Sequence, residues 1–145
     1  MKLEKIVYAT DFTEGSEAAG RYAVEMSKCC GAKLIVLNVV FDIARTAGWN
    51  ISHIDTDTLY EAMEVAARKD LDRVVAALKA EHPAVEGVLV RGLPNDDIIK
   101  YAVDNGAGMI IIGTHGRHGI DRLLFGSTAS KVVSNSPCPV LTVRG

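Results

Sequence analysis

The stretch Met109-Ile110-Ile111-Ile112, followed by the glycine-rich run from Gly113 to Gly119, is the part of the chain that decides its fold class. Four apolar residues without polar alternation are typical of a strand that is buried on both faces, as in the centre of a parallel sheet. The run that follows, Gly113-Thr114-His115-Gly116-Arg117-His118-Gly119, is typical of a turn. The pattern predicts an α/β protein with a candidate site at the carboxyl end of this strand.

Strand-like and helix-like segments alternate on both sides of this stretch. The predicted strands are residues 6–9, 34–40, 85–90, 109–112 and 138–143. The intervals show helical spacing of apolar residues, and residues 41–55 read as a loop. Because parallel strands need crossover connections, the order βαβαβαβαβ predicts an open five-stranded parallel sheet sandwiched by helices, with residues 1–145 forming a single domain.

Several helical positions are expected to face the core or to cap a helix. The first helix should stop at Gly31. The long helix that follows the predicted loop should be capped by Thr56 or Thr58 and run to about Glu81. The positions expected on apolar stripes are Ala19, Tyr22, Ala23, Met26, Cys30, Leu59, Met63, Ala66, Ala67, Leu71, Val74, Val75, Leu78, Ile98, Ile99, Ala102, Val103, Leu123, Leu124, Val132 and Val133.

Composition excludes several classes of protein. The net charge is −2 and no basic block occurs, so a nucleic-acid partner is not expected. No apolar run approaches the roughly 20 residues of a membrane span, and the N-terminus lacks a signal-peptide pattern. A cytoplasmic location without a membrane partner is therefore expected. The three cysteines form no CxxC pair, and we expect them to be buried, inert thiols.

The glycine-rich run is the main candidate for chemistry. Glycines let the backbone approach a ligand, and successive backbone N–H groups can form an anion site. Gly126-Ser127-Thr128 would complete a phosphate cradle if a helix begins there. The alternative is that these glycines serve turn geometry alone. No P-loop lysine follows the last glycine, and the first strand leads into Asp11-Phe12-Thr13-Glu14-Gly15 rather than GxGxxG.

Three stretches resemble the universal stress protein family. The spacing Gly113-x2-Gly116-x9-Gly126-Ser127 resembles the ATP-binding signature of that family. The opening residues 6–16, which contain Ala9-Thr10-Asp11, and the ending residues 136–143, which contain Cys138-Pro139-Val140, fit the same family. The resemblance covers nearly the whole chain and is weakest over residues 42–57.

The resemblance implies a fold and a site. The implied sheet order is 3-2-1-4-5, in an adenine nucleotide α-hydrolase-like or Rossmann-like fold, which sets the ends of strands one and four side by side. Asp11 would then bind the ribose or lie near the phosphates of ATP, bound with or without Mg²⁺. Ala9 and Thr10 would line the adenine and ribose, and the backbone of Val39 or Val40 would meet the adenine edge. The residues implied at the phosphates are Gly113, Gly116, Gly126, Ser127 and Thr128.

Some roles stay open at this point. Asp11 is interpreted as a ligand contact, although an acid at a strand end also caps helices. Arg117 and His118 would either neutralise a terminal phosphate or lie in solvent, and His115 is a candidate without a defined role. No pairing of a nucleophile with a base is visible, so no catalytic residue is predicted, and metal ligands are unknown.

The resulting hypothesis is an ATP-binding, nucleotide-dependent regulator of the stress response with slow or absent hydrolysis. The alternatives are a dimeric protein-interaction module without nucleotide and a weak ATPase. The resemblance also implies a homodimer through the last strand, Pro139 to Val143, because an apolar edge strand invites pairing.

Overall fold

The sheet holds the centre of the molecule. The computed structural model describes residues 3–46, 55–115 and 126–145. The strands are β1 (Lys5–Ala9), β2 (Lys33–Phe41), β3 (Val85–Gly92), β4 (Met109–Gly113) and β5 (Val140–Val143), and all neighbours run parallel in the order β3-β2-β1-β4-β5. The predicted parallel five-stranded sheet and its order are confirmed.

The helices cover both faces of this sheet. They are α1 (Glu14–Cys30), α2 (Ile43–Thr46), α3 (Thr56–Lys79), α4 (Pro94–Asp104) and α5 (Ser127–Asn135). One apolar cluster joins the sheet to α1 and α3, and it includes Tyr8, Val24 and Leu71. The other joins the sheet to α4 and α5, and it includes Ile98 and Val132. Each strand therefore buries alternate residues in different clusters.

Strand β1 is the central strand, and the later strands are added on both sides of it. Ile6 pairs with Leu34 of β2 on one side and with Met109 of β4 on the other. The chain winds outward from β1 through β2 to β3, and then from β4 to β5 on the opposite side. A crevice opens at such a reversal beyond the carboxyl ends of the strands, because the two following helices leave on different faces.

Helix termini follow their local chemistry. Gly31 ends α1 as predicted, with a left-handed φ of 65° that a residue without Cβ adopts at little cost. The expectation that Thr56 or Thr58 caps α3 is wrong. Asp55 is the N-cap, and its carboxylate accepts hydrogen bonds from the Thr58 N–H at 3.1 Å and the Thr58 hydroxyl at 2.5 Å.

The predicted loop over residues 41–55 contains a short helix. α2 forms because the Asp42 carboxylate accepts a hydrogen bond from the Ala44 N–H at 3.1 Å, which caps its first turn. Asp42 also forms an ion pair with Arg91 at 3.1 Å, and this pair lowers the pKa of Asp42, chiefly through the hydrogen bond from Arg91.

Some residues expected in the core lie at the surface. The exposed fractions are 58% for Tyr22, 50% for Val103 and 46% for Val133. Cys29 and Cys30 are also exposed and Cys138 is half-buried, so the expectation of buried thiols is wrong. In α1 the buried positions are mostly small residues such as Ala19 and Ala23, which let the helix lie close to the sheet. Fewer of the apolar residues are therefore buried than the helical spacing predicts. Leu123 and Leu124 lie outside the described residues.

The helices of the described ranges carry charged residues along their length. α3, with 24 residues, has acidic and basic side chains in most of its turns. None of these described helices combines the length and the apolar character needed to cross a membrane.

Candidate functional site

A cleft of about 1020 Å³ opens at the carboxyl edge of the sheet. Its walls come from the ends of β1, β2 and β4, from α3, and from the first turns of α4 and α5. It brings together the sequence-predicted residues Ala9, Thr10, Asp11, Val39, Val40, Gly113, His115, Gly126, Ser127 and Thr128. Gly116, Arg117 and His118 lie outside the described residues.

The turn from β1 into α1 has an unusual backbone. Phe12 has a φ of 64°, a left-handed conformation that is costly for a bulky residue. The Phe12 N–H donates to the Thr10 hydroxyl at 3.0 Å, and the Phe12 ring packs against the core cluster under α1. These contacts stabilise the left-handed conformation of Phe12, and the chain therefore turns sharply between β1 and α1 beside the cleft.

Asp11 anchors the same turn. Its Oδ1 accepts hydrogen bonds from the Thr13 N–H at 3.1 Å, the Thr13 hydroxyl at 2.5 Å and the Ser16 hydroxyl at 2.6 Å. No described residue donates to its Oδ2. Asp11 therefore anchors the start of α1 through Oδ1, although the N-cap residue of that helix is Thr13.

Tyr8 supports this turn from below. Its hydroxyl donates to the Ser16 carbonyl at 2.7 Å, within the first turns of α1. Burial raises the pKa of Tyr8 to about 12, so this donor keeps its proton throughout the physiological range. The start of α1 is thus held at a fixed height over the sheet.

Gly113 ends β4 against the backbone of α1. A Cβ at Gly113 would lie 2.7 Å from the Gly15 carbonyl oxygen, and a Cβ at Gly15 would overlap the His115 carbonyl oxygen. Gly113 does not have a positive φ. The absence of a side chain at Gly113 is therefore required for close packing of two backbones. This is a geometric role, like the alternative that the sequence left open for these glycines.

Gly126 joins the two ends of the glycine-rich segment and caps α5. Its N–H donates to the Thr114 carbonyl at 2.6 Å, and Thr114 is itself held by a bond from its N–H to the Val143 carbonyl at 2.9 Å. Gly126 has φ −57° and ψ 156°, which other residues also adopt. Its own N–H is thus occupied, which leaves the following N–H groups of α5 as donors for a ligand.

The first turn of α5 faces the cleft. Ser127, Thr128 and Ala129 line it, and no described residue accepts a hydrogen bond from their N–H groups. Such groups at a helix N-terminus carry a partial positive charge and bind anions. The helix start that the phosphate cradle required is present at Ser127.

Asn38, which the sequence analysis did not single out, lies at the floor of the cleft. It is 7% exposed, and its Nδ2 donates to the Thr10 carbonyl at 2.8 Å, which links the ends of β2 and β1. The signal was a single amide in the otherwise apolar run Leu34 to Val40. Val40 is buried beside it at 4% exposure, and Val39 is half-buried.

Residues of α3 and α4 were also missed as cleft residues. They are Met63, Ala66, Ala67, Asp70, Pro94, Asn95 and Ile98. Met63, Ala66 and Ala67 were expected to pack in the core, but Leu71 is the one fully buried residue of α3. The first half of α3 instead lines the cleft. Helical spacing of apolar residues is the same for a helix that lines a cleft and for one that packs on a core, so the sequence does not distinguish the two.

Polar side chains that line the cleft interact with residues close to them in sequence. The Thr114 hydroxyl and His115 Nδ1 are 2.8 Å apart, and Asp70 forms an ion pair with Arg73 at 3.3 Å. Within the described ranges no group of three or more His, Cys, Asp or Glu side chains is arranged to hold a metal ion.

Comparison with known proteins assigns the class. The model of the universal stress protein family matches residues 2–144. Universal stress protein MJ0577 of Methanocaldococcus jannaschii is 28% identical over 97% of this chain and 94% of its own length. Its solved structure matches with a TM-score of 0.86 and 26% identity, over 100% of this chain and 98% of that one. This chain belongs to the universal stress protein family.

Two further solved structures share the fold and contain nucleotides. One is a universal stress protein in complex with cAMP, with a TM-score of 0.75, 23% identity, and 99% of both chains covered. The other is the protein from Archaeoglobus fulgidus in complex with dAMP, with a TM-score of 0.69, 24% identity, and 99% and 100% covered. At these identities they support the shared fold.

Proposed function

We propose that this protein is an ATP-binding, nucleotide-dependent regulator of the stress response, with slow or absent hydrolysis. In this proposal residues 1–145 form one cytoplasmic domain with neither a nucleic-acid nor a membrane partner. The observation that carries it is the cleft, which is lined by the first turn of α5 and by Asp11. Among the described residues, the N–H groups of that turn have no acceptor and Asp11 Oδ2 has no donor. The complexes of relatives with cAMP and dAMP make an adenine nucleotide the first ligand to test.

The phosphate end of this site is the start of α5. The N–H groups of Ser127, Thr128 and Ala129 would donate to phosphate oxygens, and the two hydroxyls would add donors. Gly126 contributes open space rather than its N–H, which is bonded to Thr114. Mg²⁺ would accompany ATP as the counter-ion of its phosphates, and Arg117 and His118 remain candidates for neutralising them.

The base end is the apolar wall between β2 and α3. Val40, Phe41, Met63, Ala66 and Ala67 line it. Small alanines leave room for a flat ring, and an apolar wall favours burial of a base. Ala9, Thr10 and Asp11 lie between the two ends, where the ribose would sit, and a ribose hydroxyl would donate to Asp11 Oδ2.

Slow hydrolysis follows from the few proton-exchanging groups at the cleft. Asp11, Asp70 and His115 are those groups among its described lining residues. Asp11 Oδ1 already accepts three hydrogen bonds, and Asp70 is paired with Arg73. A hydrolase needs a base held beside the attacking water, so we favour a binding protein over an ATPase.

The test is calorimetric titration of nucleotide-free protein with ATP and Mg²⁺. We expect micromolar or tighter binding by the wild type and its loss in Gly126→Val, because a branched side chain there crowds the first turn of α5 while the backbone conformation stays allowed. Ser134→Val, at an exposed position of the same helix, is the matched control and should bind like the wild type.

Absence of binding by the wild type would overturn the proposal and favour the interaction module. Equal binding by Gly126→Val and wild type would move the phosphates away from α5. Release of phosphate at rates typical of enzymes, about 1 s⁻¹ or faster, would favour an ATPase instead.

We also propose a homodimer through β5, from Pro139 to Val143. β5 ends the described sheet and pairs with β4 alone. The Pro139 carbonyl accepts a bond from the Ile110 N–H of β4, and the Val143 carbonyl accepts one from the Thr114 N–H just after β4. The alternate residues Val140 and Thr142 therefore direct their backbone groups to the open edge. An unpaired edge of this kind is stabilised when a second copy covers it.

A further inference from the structure

Asn38 is a rigid amide in an otherwise apolar part of the cleft. Its exposed fraction is 7%, and it lines the cleft beside Val40 and Phe41. Its backbone lies within the continuous β2 ladder, where it pairs with Leu89 of β3. The side chain therefore has a fixed position from which to meet a ligand.

The orientation of the amide follows from its neighbour. Asn38 Nδ2 lies 2.8 Å from the Thr10 carbonyl oxygen, which accepts its hydrogen bond. Turning the amide over would set two acceptors against each other, which burial makes costly. The Thr10 carbonyl therefore forces Oδ1 to the opposite side of the amide.

Asn38 Oδ1 is an acceptor without a donor in the described part of the chain. Because Asn38 lines the cleft, we take the cleft to be the space that Oδ1 faces. A ligand that displaces water from this oxygen must supply a donor, since an unpaired buried acceptor costs about 1–3 kcal/mol.

We propose that Asn38 Oδ1 accepts a hydrogen bond from the exocyclic amino group of the bound base, and so selects 6-amino purines over 6-oxo purines. The inference rests on the proposed function and adds a side chain that discriminates between bases. Asn38 lies at the base end, on β2, away from the α5 phosphate donors. Guanine and hypoxanthine present a carbonyl at the same position, which would oppose Oδ1.

The test is a double-mutant cycle between protein and ligand. Calorimetry gives the dissociation constants of ATP, of purine riboside triphosphate, which lacks the amino group, and of inosine triphosphate, which carries a 6-oxo group. Each is measured with the wild type, Asn38→Leu and Asn38→Ser. Thermal unfolding accompanies each variant, because both also lose the bond to Thr10.

Loss of the amino group should weaken binding to the wild type about tenfold, and to either variant less than about twofold. Inosine triphosphate should be the weakest ligand of the wild type and gain relative to ATP in the variants. Asn38→Ser serves if Asn38→Leu does not fold. Met63→Ala is the control, since it removes apolar wall and should weaken all three nucleotides alike.

Tight ATP binding by the wild type with the same tenfold ratio in the Asn38 variants would overturn this inference and leave the proposed function standing. Tight ATP binding without any discrimination by the wild type would overturn it as well. Failure of the wild type to bind any of the three nucleotides would overturn both proposals together.

Discussion

At the residue scale, Asp11 anchors a helix through one oxygen and, in the proposed site, contacts the nucleotide through the other. Oδ1 fastens Thr13 and Ser16 at the start of α1, with the shortest bond at 2.5 Å. Oδ2 lies at the cleft without a described donor. Substitution of Asp11 by alanine would therefore remove the helix anchor and the proposed ligand contact at once, and it would not separate the two.

Asparagine separates these duties. Asp11→Asn keeps the Oδ1 acceptor for Thr13 and Ser16 and replaces Oδ2 by a donor. We expect the free energy of unfolding to change by less than about 0.5 kcal/mol, and ATP affinity to fall about tenfold because a charge-assisted bond is lost. Asp11→Ala should in addition lose about 1–2 kcal/mol of stability. Urea unfolding and calorimetry measure the two effects.

Asp96→Asn is the charge-matched control for this comparison. Asp96 is exposed in the first turn of α4 and does not line the cleft. Its neutralisation should leave ATP affinity unchanged. Wild-type affinity in Asp11→Asn would show that the carboxylate serves the helix alone.

At the element scale, α1 and β4 meet through bare backbone. Gly15 of α1 lies against Gly113, and a Cβ at Gly145 would lie 2.9 Å from Gly15 Cα. Helices ordinarily stand off a sheet by the length of their side chains. This seam, formed by Gly15, Gly113 and Gly145, brings the start of α1 close enough to hold the Asp11 turn at the cleft.

Gly15→Ala should force this seam apart. The added methyl overlaps the His115 carbonyl oxygen, and overpacking of this kind costs about 1–3 kcal/mol. We expect a lower urea midpoint with an unchanged slope, together with weaker ATP binding as the turn shifts. Arg21→Ala, an exposed change on the same helix, is the control and should stay within about 0.5 kcal/mol.

A midpoint for Gly15→Ala at or above that of the wild type would contradict the close approach. In that case the helix propensity gained by alanine would exceed any overlap, since alanine is favoured over glycine in helices by about 1 kcal/mol.

Sequence patterns predicted most elements because each strand is a short apolar run and each crossover a helical stripe. Sequence patterns did not predict features that depend on tertiary contacts, such as which apolar residues of a helix are exposed. The stripe of α3 predicted its helix, but the exposure of Leu59 (41%) depends on where the sheet ends. The single amide in the run Leu34 to Val40 marks Asn38 as unusual, but its bond to the Thr10 carbonyl depends on the pairing of β2 with β1, and no sequence pattern indicates the left-handed φ of Phe12.

The candidate site was predicted unevenly for the same reason. Glycine spacing and Asp11 pointed to the edge where β1 and β4 meet, and the described members of that set line one cleft. The spacing did not reveal that Gly113 clears space for α1 or that the Gly126 N–H is bonded to Thr114. Their roles toward a ligand stay predictions.

At the scale of the whole molecule, the open edge of β5 carries the proposed association of two copies. We expect light scattering at micromolar concentration to give the mass of a dimer for the wild type. Thr142→Pro removes a backbone donor that faces outward and leaves the bonds to β4 in place, so it should shift the mass toward that of a monomer.

Lys131→Ala, at an exposed position of α5, is the control for association and should remain dimeric. A wild type that scatters only as a monomer would refute the dimer. A dimer unaffected by Thr142→Pro would show that the copies meet on another surface.

The central position of β1 also has a consequence for how the chain folds. β1 is made first, yet it pairs on one side with β4, so that Ile6 meets Met109 across most of the chain. A pairing this distant in sequence carries a large loop-closure cost and forms slowly. During synthesis β1, β2 and β3 can assemble while one edge of β1 stays open. The crevice lies at the seam that closes last, so a nascent chain has no complete cleft until β4 arrives.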